Sequence, residues 1–412
     1  MIAILYFLLF FVLWLGFRKN AKGSVGELLL LFYLVSAFLS LLIEFSDTFE
    51  KPAELDLSSI LYYVACVLIS LFPFLLLSKY DSRNFYFPSQ LMNYVTYFII
   101  VFGLIELVSS TAELYSNRAT IVSNIAALRE GFYKILGESQ NNTFLKKILI
   151  YVLPFQYMSP FCSMYYLSRG KKSLAVWAAV ASLCVPVHGM TVGERQATLK
   201  FFSNYAFCYL FFRNEIPTTV KSRIKKIGIF GMIPLAIFFI TMTFGRFGGT
   251  STGTFNSLLM YGGKQPYFFT YLYNDPNIVE QSFGGRYTFS YLFPLNERAS
   301  NQLNNNISTD IYLNQFGGLP GSMFLDFGYW TIFVIFGFAL AYYIMIKIAS
   351  LRKDKFPFYL LFIFYFSYQV LFMNIFYYEF NYSIKIFLNV CFFVVTLLWP
   401  DKPKIAIRAR NF

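Results

Sequence analysis

The chain of 412 residues is 57% hydrophobic and 21% aromatic, only 13% of it is charged, and its formal net charge is +13. A charged fraction this far below the roughly 25% usual for soluble domains excludes a soluble globular protein. The five cysteines (Cys66, Cys162, Cys184, Cys208, Cys391) all fall inside apolar runs, so neither a disulfide framework nor a metal-ligand spacing emerges.

The expected class is an all-α polytopic membrane protein, a single transmembrane domain over residues 1–412 with no metal site and no cofactor. Apolar runs of about 17 to 25 residues suffice to cross the hydrocarbon layer. They occur near 1–17, 26–45, 58–78, 88–109, 148–167, 173–190, 197–213, 227–245, 321–346, 357–376 and 382–399, which predicts eleven transmembrane helices. The first run has no basic stretch before it and no small-residue cleavage site after it, so it reads as a retained helix.

Arg18, Lys19 and Lys22 follow that helix, which by the positive-inside rule puts the N-terminus outside and, eleven crossings later, the C-terminus in the cytoplasm. The same alternation gathers Lys79 and Arg83, Arg169 to Lys172, Arg213 to Lys226, Lys347 to Lys355 and Lys402 to Arg410 on the cytoplasmic side. The basic balance is therefore topogenic, and nucleic acid is not an expected partner.

On the outer side the first loop, 46–57, is acidic and carries Glu54 and Asp56, the kind of pair some C-type membrane glycosyltransferases hold there. The second contains an amphipathic segment, 113–140, whose apolar positions recur every three or four residues, as in a helix lying along a membrane surface. Pro154, Pro160 and Pro186 are expected to bend helices five and six. The lone His188 lies where helix six reaches the outer face, a candidate substrate-binding residue.

Gly193-Glu194-Arg195 then interrupts apolar sequence between two closely spaced helices, and ionisable residues at such a place face water or the bundle interior. The longest polar interval, 246–320, is rich in Gly, Asn, Tyr and Phe and holds Arg246, Lys264, Arg286 and Arg298. Its backbone would go unpaired in hydrocarbon, so it is expected to cap the outer face of the bundle. Its aromatics, among them Tyr267, Phe268, Phe269, Tyr273 and Tyr287, read singly as ordinary membrane-interface belt residues and as a cluster lean towards glycan binding.

A Gly-x-Arg turn opening a helix, a large late outer loop, and Asp326-Phe327-Gly328 at the start of the next helix resemble the oligosaccharide repeat-unit polymerases, also called O-antigen polymerases. The resemblance implies a C-type glycosyltransferase-like bundle in a bacterial inner membrane, with one large periplasmic loop. Its substrates would be a polyprenyl-diphosphate-linked glycan donor and a lipid-linked acceptor, with a chain-length regulator as a further partner.

Within that resemblance Arg195, Arg246 and Arg286 are the expected clamp on the departing diphosphate, whose oxygens guanidinium forks match. Glu194 and Asp326 are the candidate catalytic carboxylates. His188, Tyr287 and Arg298 are expected to touch the sugars. An O-antigen ligase shares the donor and the topology, and a lipid-linked oligosaccharide flippase is the alternative from outside the enzymes.

Overall fold

The computed structural model describes residues 1–46, 53–116, 155–191, 195–226, 262–276, 318–351, 355–375 and 383–399, with a few single positions besides. They are almost entirely helical, and an isolated bridge between Phe85 and Phe356 is their only β-type pairing. The helices are α1 (Ile2–Ala21), α2 (Val25–Glu44), α3 (Leu57–Leu77), α4 (Ser89–Ser116), α5 (Ser159–Ser168), α6 (Lys172–Ser182), α7 (Cys184–Thr191) and α8 (Arg195–Phe212). They continue with α9 (Gln265–Asn274), α10 (Gly318–Phe327), α11 (Thr331–Leu351), α12 (Phe358–Met373) and α13 (Ser383–Leu398).

Six stretches among the described residues are long and apolar enough to cross a membrane: α1, α2, α3, α4, the α6–α7 pair and the α10–α11 pair. The protein is thus a multi-pass helical membrane protein. Of the other expected spans, α5 has 10 residues and α12 has 16, below the roughly 20 that a perpendicular crossing takes. α8 is 18 residues long but carries Arg195, Lys200, Ser203 and Asn204. The 227–245 run lies mostly outside the described residues, as does the 113–140 segment beyond Ser116.

Prolines act locally as their chemistry requires. Pro186 lacks an N–H and its ring crowds the carbonyl of Ser182 four residues back, so the helix breaks at Leu183 into α6 and α7. Pro160, expected to bend a helix, instead sits in the first turn of α5, where a missing N–H costs nothing. The helix expected over 321–346 is likewise interrupted: α10 ends at Phe327, a 3-10 turn covers Gly328–Trp330, and α11 starts at Thr331. Gly328 has φ 52°, a region open to glycine at little cost.

Aromatic rings fill the core. Phe207 stands 4.7 Å from Tyr368 and Phe74 stands 4.9 Å from Phe364, joining α8 and α3 to α12. Large rings bring much contact area in few rotamers, which suits packing where lipid competes on equal terms.

At one end, the basic end, the links between helices are tied by charge. Arg18 pairs with Glu27 at 3.2 Å, Asn214 donates to Asp81 at 2.7 Å, and Arg169 reaches Glu215 at 3.8 Å. Partial burial would push the Asp81 carboxyl up, but hydrogen bonds from Arg83 and Asn214 outweigh it and hold the carboxyl below the usual range.

At the opposite end the described part of the 246–320 interval departs from expectation. Gly262, Gly263 and α9 do not cap the bundle from outside; they are packed among its helices. Ser36 and Ser40 of α2 donate to the carbonyls of Gly262 and Gly263 at 2.5 and 2.6 Å. Ser36 is eight residues before the end of α2, about 12 Å down at 1.5 Å per residue. The carbonyls left open where one helical turn ends just before α9 are tolerated at such depth when protein groups satisfy them, and here the serine hydroxyls do. α10 begins at the same level. Asn374, just past α12, accepts from the Leu319 amide, and the Gln265 amide donates to the Ile375 carbonyl. Two half-length helices therefore rise side by side from one asparagine-centred junction to the surface.

Candidate functional site

Among the described residues, two of the three buried acidic or basic side chains, Glu106 and Lys200, lie on helices that meet at α7, with the half-buried His188 against Glu106; the third, Asp326, is on α10. Glu106 of α4 is 6% exposed. Its Oε1 lies 2.8 Å from Nδ1 of His188 on α7 and also accepts the Ser110 hydroxyl at 3.0 Å. With Glu106 ionised and the ring neutral, Oε1 can only accept, so Nδ1 carries the proton and Nε2 the lone pair. The Thr191 hydroxyl donates to the His188 carbonyl at 2.8 Å and closes the end of α7.

Depth follows from helix rise. Glu106 is seventeen residues past Ser89 and His188 sixteen past Lys172, about 25 Å from the basic end in both cases. Lys200 is five residues from the opposite end of α8, about 8 Å in. All three lie in the half of the bundle away from the basic end. Ionisable groups held inside a bundle at membrane depth cost free energy to retain, which makes function the default reading.

Lys200 is buried, with its ammonium 4.9 Å from the centre of the Tyr157 ring. Tyr157 and Leu107 of α4 both pack against the cluster of Cys184, Val185 and Ala197 that joins α7 to α8, so Lys200 is linked through Tyr157 to the cluster beside which the Glu106–His188 pair lies in sequence. Next to Tyr157, Gln156 sits over Gly103, where an added Cβ would come within 2.6 Å of its Oε1. Nε2 of Gln156 and Nδ2 of Asn204 are buried donors without an acceptor among the described residues.

Of the expected site residues, the structure brings His188 into this cluster and places Arg195 at the first position of α8, the helix that also carries Lys200. The Arg195 side chain lies outside the described residues, and so do Glu194, Arg246, Arg286, Tyr287 and Arg298. Asp326 is at the far end of α10 rather than in the opening turns of a long helix, and it is fully buried.

The acidic loop and the loop aromatics have structural duties. Asp56 caps α3, accepting from the Ser59 amide at 2.9 Å, and its other oxygen accepts from Asn274 at 2.9 Å. Partial burial pushes its carboxyl up, but the bonds from Ser58, Ser59 and Asn274 win and hold it near 2. Tyr267, Phe268 and Phe269 are buried, Tyr267 through its hydroxyl on Glu44 at 2.9 Å. A small aromatic rim remains near the surface, with Tyr273 5.2 Å from Tyr329 and 5.5 Å from Tyr62.

Glu106 and Lys200 were missed by sequence reasoning centred on loops. The available signal was an acidic residue inside the apolar run IIVFGLIELV and a lysine inside RQATLKFF. Comparison with protein-family models, with curated proteins and with solved structures finds no match in any of the three.

Proposed function

We propose that the protein polymerises polyprenyl-diphosphate-linked oligosaccharide repeat units at the periplasmic face of a bacterial inner membrane, by metal-independent inverting glycosyl transfer. The observation that carries this reading is the position of Arg195. It opens the helix that holds the buried Lys200, directly after the helix whose His188 meets Glu106. A lipid diphosphate departing there gathers negative charge, and preorganised cations aimed at developing charge lower a barrier by several kcal/mol.

In this reading the eleven-span C-type bundle has its N-terminus in the periplasm and its C-terminus in the cytoplasm. Arg195, Arg246 and Arg286 grip the diphosphate. Tyr287, His188 and Arg298 contact the sugars, and Glu194 or Asp326 assists the acceptor. The test is reconstitution of the purified protein in vesicles with a lipid-linked repeat unit. A ladder of products differing by one repeat is expected. Transfer of a single glycan onto lipid A core, with no ladder, assigns the ligase activity instead.

A second reading draws on the burial of Glu106 and Lys200 inside the bundle, with the half-buried His188 against Glu106, since transport pathways use such interior charges. A lipid-linked oligosaccharide flippase moves a labelled substrate across the vesicle membrane and forms no new glycosidic bond. That outcome selects it over the polymerase.

A further inference from the structure

An attacking sugar hydroxyl loses its proton as its oxygen bonds to the anomeric carbon, and the base that takes it must present a lone pair at a reachable atom. Asp326 is 0% exposed. The His188 side chain is 27% exposed, whereas that of Glu106 behind it is 7% exposed. The two thus form a graded pair, with the carboxylate sealed in the bundle and the ring turned partly outward.

Building on the glycosyl transfer proposed above, we propose that Nε2 of His188 takes the proton of the acceptor hydroxyl, with Glu106 as the positioning residue that sets the ring's tautomer. Glu106 holds Nδ1 at 2.8 Å, Ser110 fixes the same oxygen at 3.0 Å, and Nε2 is left as the basic nitrogen. In the step the acceptor oxygen forms its bond to the anomeric carbon. The bond from that carbon to the diphosphate oxygen breaks, its electron pair leaves on the lipid diphosphate, and the hydroxyl proton ends on Nε2 and passes from there to water. The imidazolium formed is stabilised by the Glu106 carboxylate, whose charge the same hydrogen bond already shares. This assignment replaces Glu194 or Asp326 as the group that takes the acceptor's proton in the reading above and leaves the rest of that reading unchanged.

The chain contains one histidine, so diethyl pyrocarbonate, which carbethoxylates imidazole, reports on His188 in the unaltered protein. Reconstituted wild-type protein is treated with the reagent and then with hydroxylamine, which removes the adduct. Loss of chain growth on modification and its return on reversal are expected. His188→Gln is expected to lower kcat about 10²- to 10⁴-fold, the usual worth of a general base, with donor KM unchanged. Glu106→Gln should lower kcat as well, because its amide can donate to Nδ1 and so put the ring proton on Nε2. Glu106→Asp, which keeps an acceptor, should retain part of the rate. Full chain growth in carbethoxylated protein, an imidazole the reagent cannot reach, or His188→Gln with unchanged kcat each overturn the assignment while leaving the polymerase reading intact. Wild-type protein that builds no chain from purified substrate overturns the polymerase reading and this assignment with it.

Discussion

Oε1 of Glu106 and Nδ1 of His188 meet at 2.8 Å across 82 residues of sequence. The contact joins α4 to α7, two helices whose packing also holds Tyr157 and, through it, the ammonium of Lys200.

That contact is expected to couple the two residues energetically. A double-mutant cycle of Glu106→Gln and His188→Gln, read as unfolding free energy in detergent, should return an interaction of about 0.5–3 kcal/mol. Strictly additive effects would show that the two side chains are neighbours without being partners.

Asp56 should make the protein acid-sensitive in a defined window. Its carboxyl is held near 2 in the folded protein, against about 3.9 in an unfolded chain. The stability it adds is therefore complete above about pH 4 and drains away as pH falls toward 2. Asp56→Ala should cost about 1 kcal/mol at neutral pH, the usual price of a helix cap, and should flatten this part of the pH–Tm profile. A variant with an unchanged slope between pH 4 and 2 would assign the acid sensitivity elsewhere.

Gly263 is the least yielding point of the buried segment, because backbone rather than a side chain faces it. An added Cβ would meet the Leu39 carbonyl carbon and the Ser40 nitrogen at 2.6 Å, and backbone atoms have little room to give. Gly263→Ala should destabilise by about 1–3 kcal/mol and raise protease susceptibility near α9. Gly16→Ala, at a helical glycine with nothing within 4 Å, is the control and should be neutral or stabilising by up to about 1 kcal/mol. Equal melting temperatures for the two variants would mean that the segment is not seated on α2.

Arg195→Ala and Arg286→Ala should each reduce chain growth about 10²- to 10³-fold, as the loss of one preorganised donor does, while the protein stays inserted and abundant. Gel ladders of normal length in both variants would remove the diphosphate clamp.

Much of the helical framework was legible because hydropathy and length report on it directly. The spans of α1 to α4 follow the apolar runs closely, and the helix start at Arg195 follows from the Gly193-Glu194-Arg195 interruption. The break at Asp326 to Gly328 was hidden inside a continuous apolar run, since a glycine at φ 52° leaves no mark on hydropathy. The largely buried path of Gly262 to Leu272 was misjudged as an outer cap. Its polar backbone is satisfied by Ser36 and Ser40, more than 220 residues away, and no local pattern announces such a partner. The Glu106–His188 pair was hidden for the same reason.

The asparagine-centred junction also orders events during biosynthesis. Ser36 and Ser40 are made long before the glycines they hold, but Gln265 at the start of α9 waits for the Ile375 carbonyl, 110 residues further on. At about 5–20 residues per second that is a delay of roughly 5 to 20 s. Until the ribosome has delivered α12, the lower tip of the nascent α9 lacks its bond to the Ile375 carbonyl and is held through the serine bonds to Gly262 and Gly263, so a truncation before Asn374 should yield a chain that inserts its early helices yet leaves this inner segment more open to quality-control proteases.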